Sequence, residues 1–387
     1  MSDFIPLGEL ISLQRGTTYK SALLGQPGPV LLGLASIARN GGFRSDSLKT
    51  YGGESPSSLL VQPGELYASL KDVTQSADLL GSVARVPIDG PLGRLTQDTV
   101  RLDRVSDRVL VDFLYWSLRS PRYRSYCRAH ATGTTNLGLP RNDFLAYPLW
   151  VPPLSVQQRI VGVLGALDEL IDTNEGLIAD LRETQQTLYS RAQEAAEREL
   201  RFGDIAELFK ERATGLPDSA YLGLEHFAED GGGIVAVGRL GDKVSQQYSF
   251  ERGDVLYGRL RPYFRKVDMP GFAGACTGEI WVLRSRGQLS QTFLYSVVAS
   301  QAFTDHAMAG SGGTHMPRAR WDHMASFNVA IPETEKLREV DALALPMWEQ
   351  AIALREEADQ LRQTRDELLP LLVSGRIRVR ELEESVA

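Results

Sequence analysis

The sequence predicts an α+β fold: two related globular domains with curved β-sheets, separated by a long antiparallel two-helix coiled coil. Three observations carry this expectation. Two acidic segments show heptad spacing, a set of landmarks occurs twice in the same order, and short β-rich runs lie between them.

The first heptad segment follows Pro152-Pro153. Ser155 with Gln158 three positions on has the form of a capping box, so a helix is expected to open there. Ile160, Leu164, Leu167, Ile171, Ile178, Leu181 and Leu188 then recur at steps of three, four or seven, continued by Ala192 and Ala195, with Asn174 and Gln185 as polar interruptions. A 3.5-residue period keeps one helix face against a partner helix. The second segment repeats the pattern with Leu337, Val340, Ala344, Met347, Ala351, Leu354, Ala358, Leu361, Leu368 and Leu372, interrupted by Arg365. Pro346 lacks the N–H an unbroken helix needs, so a kink or a fresh helix start is expected there, and Gly375 is the expected stop. Each stripe alone would suit packing on its own domain. Two matched stripes in one chain favour antiparallel pairing, the polar residues fixing register.

The globular segments are duplicates. Leu7-Gly8-Glu9-Leu10 matches Phe202-Gly203-Asp204-Ile205, and PGELYASLKDV from Pro63 matches RGDVLYGRLRPYFRKV from Arg252. TGTTNLGLPRNDF from Thr132 matches SGGTHMPRARW from Ser311, and Pro153 matches Pro332. The boundaries that follow are 1–153 and 201–332 for the globular domains, with 154–200 and 333–387 for the helices and tail. Gly233 to Val237, Asp254 to Leu260 and Glu279 to Leu283 read as β-rich, and Val111 to Arg119 and Gln291 to Phe303 as helical. Antiparallel helices would set the two domains at opposite ends of a spacer of about 60 Å for about 40 residues, the scale of one to two turns of duplex DNA.

The net charge of −7 disfavours a nucleic-acid partner until it is apportioned. Residues 1–150 carry +3, 201–332 are neutral, and each helical segment carries −5. The acid belongs to the helices. Cys127 and Cys276 lie far apart with no Cys or His at metal-ligand spacing, so no disulfide framework or metal site is expected. No long apolar run or signal sequence is present, so a cytoplasmic protein with no membrane segment is expected.

No glycine fingerprint, phosphate loop, HExxH, nucleophile elbow or methyltransferase tetrapeptide occurs, so catalysis by this chain is not expected, and it needs no cofactor. The strongest nucleic-acid signal is Arg259, Arg261, Arg265 and Lys266 interleaved with Tyr263 and its aromatic neighbours; the first domain has Lys71 in that place. Thr134, Thr135 and Arg141, and their counterparts Thr314, His315, Arg318 and Arg320, read as loops running into helix starts, suited to phosphate or to ordinary capping. Arg39 and Arg44 flank Gly41-Gly42 at a loop tip.

The order domain, helix, domain, helix resembles the specificity subunit of type I restriction-modification enzymes. So do TGTTNLGLPRNDFLAYPLWVPPLSVQQRIVGVLGALDELI, GDVLYGRLRPYFRKV and the ending LLPLLVSGRIRV. The resemblance spans nearly the whole chain. It implies a non-catalytic subunit whose two target recognition domains each read half of a split, asymmetric double-stranded DNA site. It further implies helices that dock two methyltransferase subunits using S-adenosylmethionine, with restriction-translocase subunits in the full complex. Target recognition domains vary too much for base-reading residues to be carried over. AIPETEKLREV departs from VPPLSVQQRIV, so the second docking surface is expected to differ. A coiled-coil adaptor with duplicated protein-binding domains and no DNA binding is the alternative.

Overall fold

The computed structural model describes residues 3–134, 136–213, 219–240, 247–311 and 316–377. The chain packs as two units, Met1–Leu170 with Gln360–Ala387, and Ile171–Asp359. Each unit joins one globular part to portions of both long helices.

In the first unit, Asp3–Pro6 runs antiparallel to Pro148–Val151. A four-stranded antiparallel sheet has the spatial order Ile11–Arg15, Thr99–Arg104, Leu66–Ser69, Val83–Arg85. A smaller sheet places Gly93–Leu95 between a parallel Val30–Leu32 and an antiparallel Leu60–Val61. The second unit repeats the plan. Arg198–Arg201 pairs with Asn328–Ile331, and the four-stranded sheet has the order Ala206–Phe209, Ile280–Ser285, Val255–Gly258, Val267–Asp268. In its smaller sheet, Gly274–Thr277 lies between a parallel Ala220–Leu222 and an antiparallel Gln247–Phe250, and Gly238–Arg239 is added. The duplication read from four short landmarks is therefore a duplication of topology.

The matching positions have matching physics. Leu66–Ser69 and Val255–Gly258 are buried along their whole length, as inner strands covered on both faces must be. Each follows a turn whose glycine, Gly64 or Gly253, has φ +86, which a side chain would strain. The expected helix Gln291 to Phe303 is instead two, Gln291–Val298 and Gln301–Ala309. Ser300 breaks the run by accepting from the Phe303 N–H, just as Ser120 accepts from Tyr123 ahead of Pro121–Ala129. The stretch Gly233 to Val237 is not a strand: only Ile234 bridges, to Phe227, and Val235 and Val237 are exposed.

The long helices are Leu154–Glu194 and Thr334–Leu372. The first opens one residue before Ser155, and the Val156 and Gln157 N–H groups both donate to Pro153 O. The buried Gln157 does the stapling expected of Ser155 and Gln158: its Nε2 donates to Pro152 O and Arg108 O at 2.8 Å, while its Oε1 accepts from Leu110 N. The second helix runs unbroken through Pro346, contrary to the expected break. Pro346 and Ala342, whose carbonyl loses its partner, lie on the exposed side of the helix. Gly375, φ +71, stops it as expected.

The helices pair antiparallel within each unit. In the first, Ile160 and Leu164 share a core with Leu369, Leu372 and Val373, and Asp168 meets Arg365. In the second, Asn174 meets Glu357, Ile178 packs on Ala351 and Leu354, Gln185 donates to Ala344 O, and Tyr189 meets Asp341. Leu167, Leu181, Leu188, Met347, Leu361 and Leu368 are half-buried, and Ile171 is buried. Leu369 carries the burial expected of Leu368, and Ala195 lies past the helix end, exposed.

Candidate nucleic-acid interface

Two motifs far apart in the sequence meet in each unit. In the second, the strand Val255–Gly258 runs on into Leu260, which bridges Arg318. Arg261 N donates to Pro317 O and Ala319 N to Arg259 O, so the basic turn and the loop before Trp321–Met324 lie side by side. Glu279 closes this junction. It accepts Arg259 Nε at 3.2 Å and Arg318 Nε and Nη2 at 3.2 and 3.1 Å. Burial pushes its carboxyl up, but hydrogen bonds and charge from Arg318 and Arg259 outweigh that and hold it below the ordinary carboxylate range.

The first unit has the same junction with different charges. Lys71–Asp72 pairs with Leu137–Gly138, Leu139 N donates to Leu70 O, and the acidic seat is Asp98, 3.7 Å from Lys71 Nζ. Leu70 N to Asp98 O and Arg259 N to Glu279 O are equivalent backbone bonds. Leu70 thus takes the place of Arg259 in this frame, and the next position, held by Leu260 in the second unit, is held here by Lys71. Lys71 is exposed, as are Thr134 and Arg141, whose Nη2 donates to Leu13 O.

Around the basic turn several cations are held by the protein itself. Arg265 Nη2 donates to Ala299 O and Lys266 Nζ to Leu224 O, both at 2.9 Å. Arg261 and Arg265 flank the turn Pro262–Phe264 with φ +51 and +49, a left-handed conformation costing about 1–3 kcal/mol per residue, of the kind stored at functional sites. The Nε atoms of both are buried with no partner among the described residues. Tyr263, 43% exposed, forms the outer edge of the turn. Arg39 and Arg44 are exposed, Arg44 pairing with Asp46, and Arg320 is exposed at the start of Trp321–Met324. Thr135, Thr314 and His315 lie outside the described residues.

The structure adds residues that the sequence did not single out. An open cleft of about 520 Å³ in the second unit is lined by Arg201, Glu207, Lys210, Arg286 and Trp321. It shares Lys210 and Trp321 with a smaller cleft of about 180 Å³ lined by Tyr248, Arg259 and Trp281. Exposed cations interleaved with aromatic faces suit phosphate contact and stacking. Trp321, directly after Arg318 and Arg320, was the available signal. Among the described residues no group of His, Cys, Asp or Glu could hold a metal ion, and no helix is long and apolar enough to cross a membrane.

A duplicated α+β domain followed each time by a long helix, with the helices paired antiparallel in each unit, defines a class of two-domain, two-helix proteins. No protein-family model matches the chain. It is 21% identical to the type I restriction enzyme MjaVIII specificity subunit of Methanocaldococcus jannaschii over 333 residues, 76% of each chain. It is also 25% identical over 96 residues to the type I restriction enzyme EcoDI specificity subunit of Escherichia coli, 25% of this chain and 21% of that one. The crystal structure of the type I restriction-modification S subunit from M. genitalium superposes with a TM-score of 0.57 at 14% identity, covering 96% of both chains. The chain is a distant relative of the type I specificity subunits and has their fold.

Proposed function

We infer that this chain is the specificity subunit of a type I restriction-modification system, recognising DNA and assembling with methyltransferase subunits without catalysing a reaction itself. The observation that carries the reading is the duplicated junction, in which a strand end, a loop and an acidic seat recur with Lys71 and Asp98 in one repeat and Arg259, Arg318 and Glu279 in the other. The same frame carries unlike side chains, as two readers of unlike half-sites require.

Within this reading, residues 1–153 and 201–332 are the two target recognition domains of a bipartite site. Lys71, Arg141, Arg259, Tyr263, Arg318 and Arg320 approach the duplex, joined by Lys210 and Arg286. The helices bind two methyltransferase subunits, which carry S-adenosylmethionine, and restriction subunits join where the system cleaves. The complex works in the cytoplasm, where the chromosome is.

Co-expression with the methyltransferase subunit of the same host, followed by methylation mapping, tests this. Adenine methylation confined to one split sequence and absent without this chain is expected. Methylation that ignores this chain, or a purified complex not retained on DNA, returns the adaptor reading.

A further inference from the structure

Asp268 ends the strand Val267–Asp268 directly after the basic turn, and its side chain is 4% exposed. Both long helices reach it: Arg182 Nη2 donates at 2.6 Å from the first, and Arg355 Nη1 at 3.1 Å from the second. The Ile234 and Met269 N–H groups donate at 2.7 and 2.9 Å. The same arginines extend to the glycine turn before Ile234, Arg182 Nη1 donating to Gly232 O and Arg355 Nη1 to Ile234 O. Gly233 has φ +78, and a Cβ there would collide with Arg182 and Asp268.

Burial alone would raise the Asp268 carboxyl; the charges of Arg182 and Arg355, with the two N–H donors, hold it below the ordinary carboxylate range. A buried ion triad adds little net stability, because desolvation offsets attraction, and its best-attested use is to select one geometry. Here that geometry includes the basic turn. The glycine turn's Asp230 N–H donates to Phe264 O, inside the turn Pro262–Phe264, so what holds the glycine turn also holds the basic turn.

We propose that Asp268, gripped by Arg182 and Arg355, is a positioning residue that seats the basic turn of the second globular domain on the two long helices, and that this seat is required to read the second DNA half-site. The inference rests on the DNA-specificity reading above.

The test uses the complex assembled with methyltransferase subunits. The triple variant Asp268→Asn, Arg182→Gln, Arg355→Gln removes all three charges and so leaves no buried charge unpaired. Methylation per assembled complex is compared on cognate DNA and on DNA changed at one base of either half-site. At least a tenfold loss of discrimination at the second half-site is expected, with discrimination at the first retained; a merely structural role lowers the yield of complex and leaves discrimination intact. If the triple variant does not assemble, Arg355→Lys, which keeps the charge but not the fork, takes the same readout. In the free full-length chain, Asp268→Asn should speed hydrogen exchange at the Ile234 and Met269 amides at least tenfold. Unchanged discrimination, or unchanged exchange, overturns the proposal. A wild-type complex that methylates without site preference defeats the functional reading instead, and the exchange result alone then decides the clamp.

Discussion

Arg365 on the second long helix donates to Asp168 on the first at 2.6 Å, and Arg119 from the first globular part stands 3.7 Å from the other carboxylate oxygen. One carboxylate therefore ties three elements of the first unit. Arg365 is 16% exposed and Asp168 29%, so water screens the pair only partly. A hydrogen bond to a charged group contributes about 1.5–3 kcal/mol. Arg365→Ala should lower unfolding free energy by about 2 kcal/mol, and a double-mutant cycle with Asp168→Ala should return most of that as coupling. A coupling near zero in denaturant titrations would make the contact an ordinary screened surface pair.

The polar residues in the helix contact should trade stability for register. Gln185 is buried and donates to Ala344 O at 3.1 Å, and Asn174 donates to Glu357 at 3.1 Å. Gln185→Leu should keep or raise the melting temperature while producing mixed association states in sedimentation, because an apolar contact accepts several registers. Ile178→Glu should do the opposite: a charge placed against Ala351 and Leu354 costs about 3 kcal/mol or more. With Leu167→Glu and Leu361→Glu added, a complex that still assembled fully with its methyltransferase subunits would refute the pairing.

Local pattern made the helix pair legible, since heptad spacing states directly which face is covered. What it could not show was which contacts override local rules. Pro346 reads as a break, yet the carbonyl it orphans belongs to Ala342 on the exposed side, so the helix continues. Ser155 and Gln158 read as the cap, yet the buried amide of Gln157 reaches Arg108 and Leu110, about 47 residues away in sequence, and ties down the helix start. The candidate site was half legible. Lys71 and Arg259 were visible as basic residues after a strand, whereas their acidic seats, Asp98 and Glu279, lie in the turns just ahead of Thr99–Arg104 and Ile280–Ser285 and become partners only when the sheet forms.

Both cysteines should be silent toward thiol reagents. Burial pushes the Cys276 thiol up to about 12, and burial likewise raises Cys127; both are inaccessible and free. At pH 8 the native chain should take up no maleimide over hours, and two equivalents once unfolded in denaturant. Rapid native labelling would mean that the inner strand Gly274–Thr277 or the helix Pro121–Ala129 is open.

Glu279 should give the second unit a specific acid sensitivity. Its folded value lies below the ordinary 4.5, so its contribution is fully present above that pH and is lost as pH falls through the lower folded value. Glu279→Gln should lower the melting temperature at pH 7, and the gap to the wild type should close as pH drops below about 4.5. A gap that stayed constant into acid would show that Arg259 and Arg318 respond to shape at this seat and not to its charge.

The cleft containing Trp321 should lie on the DNA path. Lys210 and Arg286 line it and are exposed, and Arg286 makes one long hydrogen bond, 3.5 Å, to Gly203 O. Removing a cation that neutralises one phosphate reduces the slope of log affinity against log salt by about one. Lys210→Ala with Arg286→Ala, measured on the assembled complex, should therefore flatten that slope by about two units and weaken cognate and non-cognate DNA alike, since phosphates carry no sequence. Arg259→Ala should differ in kind. It removes one of the two arginines on Glu279 and disturbs the junction with Arg318, so site discrimination should fall along with affinity. If the double variant binds with the wild-type slope, the duplex runs elsewhere on this unit, and the basic turn around Tyr263 becomes the place to map next.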